Sequence, residues 1–173
     1  DKWKRSVMAA ISADYSKIAR DGRKLASVLE SGKEVHISGK GTDLTFRLAG
    51  RKARIYDGLV DKNDIALGNV GVSLPDGLIA AAPREDSAVG EITFDLPIPI
   101  YGKLIHGLKW KLDRGMLVDY SADKNLDMFK QAFESQLSPE KKEDSRRFGG
   151  FGLGLNPKAS VGYLQNYIVR GVT

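Results

Sequence analysis

Apolar residues recur at three- and four-residue steps near the amino end of the chain, which predicts an amphipathic helix over residues 3–30. The stripe consists of Trp3, Val7, Ile11, Tyr15, Ile18, Leu25, Val28 and Leu29. We expect a bend or break at Asp21-Gly22, because glycine in a helix interior is unfavourable by about 1 kcal/mol. Ser31-Gly32 predicts the helix end. Since the stripe is one-sided, we expect the helix to pack against a sheet.

Short runs of alternating apolar and polar residues over 33–121 predict a strand-rich core. The predicted strands are Glu34–Ser38, Asp43–Ala49, Ala53–Asp57, Val70–Ser73, Leu78–Ala82, Glu91–Asp95 and Leu104–Leu112. Residues 109–119 have the pattern of a hairpin, with Gly115 available for a positive φ in its turn. Trp110 and Leu112 alternate with lysines, which indicates that they share its buried face.

A second helix is predicted over residues 123–136, because Leu126, Phe129 and Phe133 lie on one face. Residues 148–173 begin with closely spaced glycines, which let two backbones approach each other. Strands that follow one another, instead of alternating with helices, indicate an α+β fold. We therefore expect an N-terminal helix packed on a mostly antiparallel, partly barrel-like sheet, within a single domain of residues 1–173.

Composition excludes several classes of site. The chain has no cysteine, which excludes disulfides, a thiol nucleophile and cysteine-ligated metals and fits a cytosolic or thermophilic protein. It has no run of about 18 apolar residues, so we expect no membrane partner. His36 and His106 stand in no close metal-ligand spacing. Gly39-Lys40-Gly41 and the glycines of 149–154 match neither a phosphate-binding nor a dinucleotide-binding motif, and we expect a turn at the first.

The positive charge is concentrated near the amino end. The net charge is +5, and residues 1–60 hold 13 Lys and Arg against 7 Asp and Glu. Such a basic region can favour nucleic acid or another anionic partner. We favour a solvated helix face instead, because no basic strand studded with aromatic residues accompanies the charge.

Polar residues at turns and strand starts are the candidate binding residues. Thr42 and Asp43 begin a predicted strand, where their side chains can cap backbone N–H groups. Asp76 lies in Pro75-Asp76-Gly77, a sequence typical of a turn. Glu85 and Asp86 are neighbouring carboxylates that can bind a metal or shift each other's pKa. A turn or a surface loop is the simpler interpretation of each.

Several motifs occur together along residues 33–173. They are Gly41-Thr-Asp-Leu-Thr45, Asn69 with Leu74-Pro-Asp-Gly77, Ala82-Pro83 with Glu85-Asp-Ser87, Gly90, and Phe151-Gly-Leu-Gly-Leu-Asn-Pro157. In their order and approximate spacing the chain resembles the thermophilic metallo-aminopeptidases (aminopeptidase T/S-like and related leucyl aminopeptidases). The resemblance implies a two-domain, dimeric, cytosolic exopeptidase whose two divalent metal ions polarise the scissile carbonyl and deliver hydroxide.

The chain departs from this family where the resemblance expects metal ligands. A ligand Glu is expected directly after Pro-Asp-Gly, where this chain has Leu78, and another before Phe-Gly-Leu-Gly, where it has Gly150. Neither side chain has a donor atom, so we expect no metal ligand and no metal cofactor. The family's His and Asp ligands would follow Thr173, which predicts a fragment or a shortened relative. Asn156 belongs to a retained motif and joins the candidate binding residues.

These residues leave enzyme activity open. The first hypothesis is an aminopeptidase-like protein that has lost the dinuclear metal site and acts as a non-catalytic interaction or peptide-binding domain, dimeric and cytoplasmic. The alternative is an active metal-dependent aminopeptidase with displaced ligands, or with ligands outside this chain. A basic nucleic-acid-binding module is the second alternative, and nucleic acid is not the partner we expect.

Overall fold

The structure is a computed structural model that describes residues 2–48, 50–134 and 146–160. In chain order its elements are α1 (Lys2–Ile11), α2 (Tyr15–Ser31), β1 (Glu34–Gly39), β2 (Thr42–Arg47), β3 (Arg54–Tyr56), α3 (Lys62–Ala66), β4 (Leu78–Ala81), β5 (Val89–Thr93), β6 (Ile98–Ile100), β7 (Lys103–Ile105), β8 (Lys109–Asp113), β9 (Met116–Ser121), α4 (Leu126–Glu134) and β10 (Phe151–Gly154). The chain divides into two compact units. Unit 1 comprises Asp1–Ser31, Gly50–Ala82 and Gly150–Thr173, and unit 2 comprises Gly32–Ala49 and Pro83–Gly149.

Two helices replace the single helix predicted at the amino end. The break lies between α1 and α2, and the prediction of a break at Asp21-Gly22 was wrong. Asp14 starts α2, because its carboxylate accepts a hydrogen bond from the backbone N–H of Lys17 at 2.9 Å. Gly22 lies inside α2 and is buried there. A Cβ at Gly22 would come within 2.7 Å of a methyl carbon of Ile55, so glycine lets the helix pack closely on β3.

The sheet of unit 1 has three antiparallel strands in the order β10-β4-β3. Ile79 of the central strand is fully buried and is paired with Ile55 on one side and Leu153 on the other. Alternation along the strands places these three residues on one face. Because Gly22 of α2 meets Ile55, this is the face that the helix covers, as the one-sided stripe predicts.

The segment between β3 and β4 differs from the sequence prediction. The predicted strand Val70–Ser73 is absent, and Val70 and Val72 are exposed there. The short helix α3 was not predicted. It begins with a capping box in which the Asp61 side chain accepts from the N–H of Asp64, and the Asp64 side chain accepts from the N–H of Asp61.

Unit 2 is built on a five-stranded antiparallel sheet in the order β1-β2-β5-β8-β9, with β6 and β7 as a separate hairpin. The predicted hairpin is confirmed as β8 and β9, and Gly115 in its turn has φ +77°. Helix α4 covers the apolar face of the sheet. Its Phe129 is buried, with its ring centroid 6.1 Å from that of Trp110 and 5.0 Å from that of Tyr120.

The prediction of a partly barrel-like sheet was wrong, although the α+β class is confirmed. Strands β1 and β9 are the two edges of the sheet of unit 2 and are not paired with each other, so that sheet is open. Strands β3, β4 and β10 pair among themselves in unit 1. The predicted strand Leu104–Leu112 is divided into β7 and β8, because Gly107 between them has φ +60°. The predicted second helix is observed from Leu126.

Parts of three predictions lie outside the described residues. Ala49, the last residue of the predicted strand Asp43–Ala49, is one of them. The end of the predicted helix over 123–136 lies beyond residue 134, the last position that the structure describes before residue 146. Of the predicted glycine-rich part, residues 148–160 are described.

Candidate functional site

A glycine-rich strand lies beside the first of the two positions at which the resemblance expects a metal ligand. In β10 and β4, Gly154 is opposite Leu78 and Gly152 is opposite Ala80. Residues directly opposite each other in antiparallel strands point to the same face, so these four residues share one face of the sheet. The Leu78 side chain leans over Gly152, with its Cδ1 3.0 Å from the place where a Cβ of Gly152 would lie. We call this surface the glycine face; it also includes Arg54 and Tyr56 of β3.

The second expected ligand position, Gly150, directly precedes β10. Gly150 lies outside the paired residues of β10, and alternation continued by one residue would place it on the glycine face with Gly152. No atom lies within 4 Å of a Cβ built on Gly150, so a longer side chain would find open space there. Leu78 and Gly150 are four strand positions apart in register, about 13 Å at the usual rise of a strand.

The residues present at these two positions do not fit a divalent metal ion. Binding requires charged oxygen or imidazole donors that offset the dehydration of the ion, and leucine and glycine side chains provide neither. The glycine face instead carries the guanidinium of Arg54, whose carbon lies 4.9 Å from the ring centroid of Tyr56. Within the described ranges, no group of three or more His, Asp and Glu side chains is arranged to hold a metal.

Two of the candidate binding residues, Asp76 and Asn156, come together in the core of unit 1. They are 3% and 4% exposed. The Asn156 amide donates to the carbonyl oxygens of Ala10 at 3.0 Å and of Asp76 at 2.8 Å, and it accepts from the N–H of Lys158 at 3.0 Å. An Asp76 carboxylate oxygen accepts from the N–H of Gly77 at 3.0 Å. Both side chains therefore hold the loops at the start of β4 and the end of β10.

Tyr15 extends this polar cluster and was not predicted from the sequence, where it counted only as part of the apolar stripe. Its hydroxyl donates to the carbonyl oxygen of Ala10 at 3.1 Å, next to the amide of Asn156. Burial raises the pKa of the Tyr15 hydroxyl above its usual value. Tyr15 therefore stays neutral and keeps its donor at physiological pH.

Thr42 and Asp43 lie on β2 in unit 2. The Thr42 hydroxyl accepts a hydrogen bond from the N–H of Thr93 at 3.0 Å, so it joins β2 to β5. The Asp43 carboxylate is 2.7 Å from Nε2 of His36, and both side chains are largely exposed. The His36–Asp43 pair was missed in the sequence. The expected turn at Gly39-Lys40-Gly41 is confirmed, and its register places His36 diagonally across from Asp43.

Glu85 and Asp86 lie in the loop that precedes β5 in unit 2. Asp86 accepts from Nε of Arg84 at 3.5 Å, a long contact between exposed groups. The backbone of Glu85 lies against Gly115, where a Cβ would overlap its carbonyl oxygen. The candidate residues are thus divided between the units, with Asp76 and Asn156 in unit 1 and the other four in unit 2. Their role in binding stays a prediction.

The structure contains no helix long and apolar enough to span a membrane within the residues that it describes.

Comparison with known proteins agrees with the resemblance seen in the motifs. Residues 7–161 match the family described as thermophilic metalloprotease (M29). Aminopeptidase T of Thermus aquaticus is 27% identical over 131 residues, which cover 74% of this chain and 30% of that protein. Wild-type AmpT from Thermus thermophilus has a TM-score of 0.65 at 21% identity, covering 86% of this chain and 36% of its own.

A second solved structure has the same fold. The 2,5-dihydroxypyridine dioxygenase from Pseudomonas putida KT2440 has a TM-score of 0.67 at 17% identity, covering 89% of this chain and 43% of its own. At these identities the two structures show a shared fold alone. The chain spans about a third of the length of the aminopeptidase T proteins that it matches. Because the family pattern extends over residues 7–161, the chain belongs to the thermophilic metalloprotease (M29) family.

Proposed function

We propose that this chain is an aminopeptidase-like protein that has lost the dinuclear metal site and acts as a non-catalytic interaction or peptide-binding domain. One observation carries the proposal: neither Leu78, the first residue of β4, nor Gly150, the residue directly before β10, can donate to a metal. The family resemblance expects a Glu at each position. The surrounding glycine strand is retained, so the surface persists without the expected donors.

The glycine face has the properties of a peptide-binding surface. Gly152 and Gly154 add no side chains of their own to this face, and Leu78 covers the place where a Cβ of Gly152 would lie. Leu78 supplies an apolar contact, and the guanidinium of Arg54 can pair with a carboxylate. The charge that this face carries is the positive charge of Arg54, on the strand next to β4. We therefore propose a peptide with a free carboxylate as the ligand of this face, within one aminopeptidase-like domain of residues 1–173.

The candidate residues enter the proposal in two roles. Asp76 and Asn156 are proposed to hold the loops at the ends of the glycine face, because their polar atoms form hydrogen bonds inside unit 1. Thr42, Asp43, Glu85 and Asp86 are proposed as binding residues of unit 2 itself, since Asp43 and Asp86 present exposed carboxylates there.

Metal content and peptide hydrolysis test the loss of the metal site. We expect the purified chain to bind far less than one equivalent of Zn²⁺, Co²⁺ or Mn²⁺ and to release no amino acid from peptides. The measurements are elemental analysis after incubation with each metal and an assay of freed amino groups. The double variant Leu78→Glu/Gly150→Glu should gain divalent metal binding of at least about tenfold over the wild type, because it restores two charged donors.

The matched control is Leu78→Gln/Gly150→Gln, which has nearly the same shape without the charge, and it should not gain metal binding. Two equivalents of metal on the wild-type chain, together with peptide turnover, would establish the alternative of an active aminopeptidase with displaced ligands.

Self-association and a cytoplasmic location are part of the proposal. Exposed aliphatic side chains are concentrated between β3 and β4, and an exposed apolar patch is typical of an interaction surface. They are Leu59, Val60, Ile65, Leu67, Val70, Val72 and Leu74. We expect sedimentation equilibrium to show a homodimer, and a single species of 18.9 kDa at every concentration would refute it. The absence of cysteine supports a reducing compartment.

A further inference from the structure

A cavity of about 280 Å³ in unit 1 is lined by charged side chains of both signs. Arg20 and Arg23 reach it from α2, and Asp57, Asp61 and Asp64 reach it from the segment that follows β3. The cavity uses none of the residues of the glycine face. Asp61 and Asp64 form the capping box of α3, but the two arginines have no role in the fold or in the proposed function.

The two arginines are three residues apart on α2, so their side chains leave the same face of the helix. Within the part of the chain that the structure describes, neither guanidinium forms a hydrogen bond or an ion pair with a protein group. This contrasts with Lys17 on the same helix, which is paired with Asp21. The cavity therefore has two planar donor groups whose N–H bonds are free to bind a ligand.

The carboxylates of the cavity are held in place by the backbone. Asp57 accepts from the N–H of Leu59 at 3.0 Å, and Asp61 accepts from the N–H groups of Asn63 and Asp64 at 2.7 and 3.0 Å. In the same capping box, Oδ2 of Asp64 accepts a hydrogen bond from the N–H of Asp61 at 3.0 Å. These backbone bonds, with a smaller contribution from Arg23, hold the pKa of Asp61 below its usual value. Each of the three carboxylates uses one oxygen in these backbone hydrogen bonds, which leaves its second oxygen to accept a hydrogen bond from a ligand.

We propose that this cavity binds a small zwitterion, a free α-amino acid or a dipeptide, whose carboxylate is held by Arg20 and Arg23 and whose ammonium group is held by the Asp57, Asp61 and Asp64 carboxylates. A guanidinium matches a carboxylate through two parallel hydrogen bonds. An ammonium group has three donors and no acceptor, so several carboxylate oxygens suit it. The cavity is partly open to solvent, and its volume of about 280 Å³ can take an amino acid or a dipeptide.

The ligand must carry both charges because one wall of the cavity is positive and the other is negative. A simple anion would face three carboxylates, and a simple cation would face two guanidinium groups. Only a molecule with separated charges of both signs satisfies both walls. The inference goes beyond the proposed function and does not depend on it, because it involves neither Leu78 nor Gly150.

Calorimetric titration of the full chain with three probes tests the inference. Glycylglycine carries both charges, N-acetylglycine lacks the ammonium group, and glycinamide lacks the carboxylate. We expect glycylglycine to bind, and each blocked probe to bind at least about tenfold more weakly, because each loses one set of charge-assisted hydrogen bonds. Equal binding of all three probes, or no binding of glycylglycine, would overturn the proposal.

A pair of double variants locates the binding. Arg20→Gln/Arg23→Gln should weaken glycylglycine binding by about tenfold or more, because both guanidinium partners of the carboxylate are removed. Lys17→Gln/Lys24→Gln removes the same charge from the same helix outside the cavity lining and should leave binding unchanged. Thermal unfolding of each variant confirms that it is folded. Asp57→Asn tests the opposite wall of the cavity, because it removes one of the carboxylates proposed to hold the ammonium group. If the arginine and control variants bind glycylglycine equally well, the arginines do not hold its carboxylate and the inference is wrong.

Discussion

Replacing Gly90 with alanine is expected to lower the free energy of unfolding by about 4 kcal/mol, a large part of the stability of a typical domain. Gly90 has φ +129°, a backbone conformation that residues with a Cβ rarely adopt. An added Cβ would also overlap the carbonyl oxygen of Asp43 on the neighbouring strand. Because β2 and β5 are central in their sheet, they cannot separate without breaking its ladder. Urea unfolding followed by circular dichroism measures the change.

Gly102→Ala is the matched control for this substitution. Gly102 also lies in unit 2 and has φ +76°, but no atom is within 4 Å of its built Cβ. The control therefore tests backbone strain without a clash, and we expect a loss of about 1 kcal/mol. A Gly90→Ala variant as stable as Gly102→Ala would show that β2 and β5 are not packed as the structure has them.

Truncating Asn156 to alanine is expected to lower the free energy of unfolding by about 3 kcal/mol, because two buried hydrogen bonds and one part-buried hydrogen bond are lost at once. The Asn156 amide donates to Ala10 and Asp76 and accepts from Lys158. Both amide hydrogens are therefore used inside the protein. We expect any loss of peptide binding in this variant to follow the unfolded fraction, as thermal melts and binding measured below the melting transition would show.

Asn63→Ala serves as the comparison for this truncation. Asn63 is an exposed residue of α3, and we expect its replacement to change stability by less than about 0.5 kcal/mol. If Asn156→Ala stays fully folded and still loses peptide binding, Asn156 contacts the ligand directly and its assignment as a residue that holds the loops is wrong.

The secondary-structure elements that depend on local alternation and turn residues were predicted well. The hairpin of β8 and β9 follows from alternation around Gly115, and the confirmed position of β4 follows from the turn signal before Leu78. The error in the predicted helix break has one local cause and one tertiary cause. Asp14 capped α2 and moved the helix break away from Gly22, where tertiary packing on Ile55 outweighed the low helix propensity of glycine.

The candidate site was harder to predict than the elements, because it depends on which strands pair. The sequence showed that Leu78 and Gly150 lack donor atoms, but not that β4 and β10 are neighbours in one sheet. The mixed-charge cavity was not predicted at all, since Arg20 and Arg23 looked like a solvated helix face. Their relation to Asp57, Asp61 and Asp64 depends on the path of the chain after β3, which periodicity does not specify.

The order of the two units along the chain limits how this protein can be dissected. The polypeptide passes from one unit to the other at four points, near residues 31, 49, 82 and 149. A deletion from either end therefore removes part of unit 1 before it reaches unit 2, and no single cut releases either one whole. Unit 2 could be obtained alone only by joining its two segments through an artificial linker. A stop codon within β8 would remove β9 and α4 from unit 2 and β10 from unit 1.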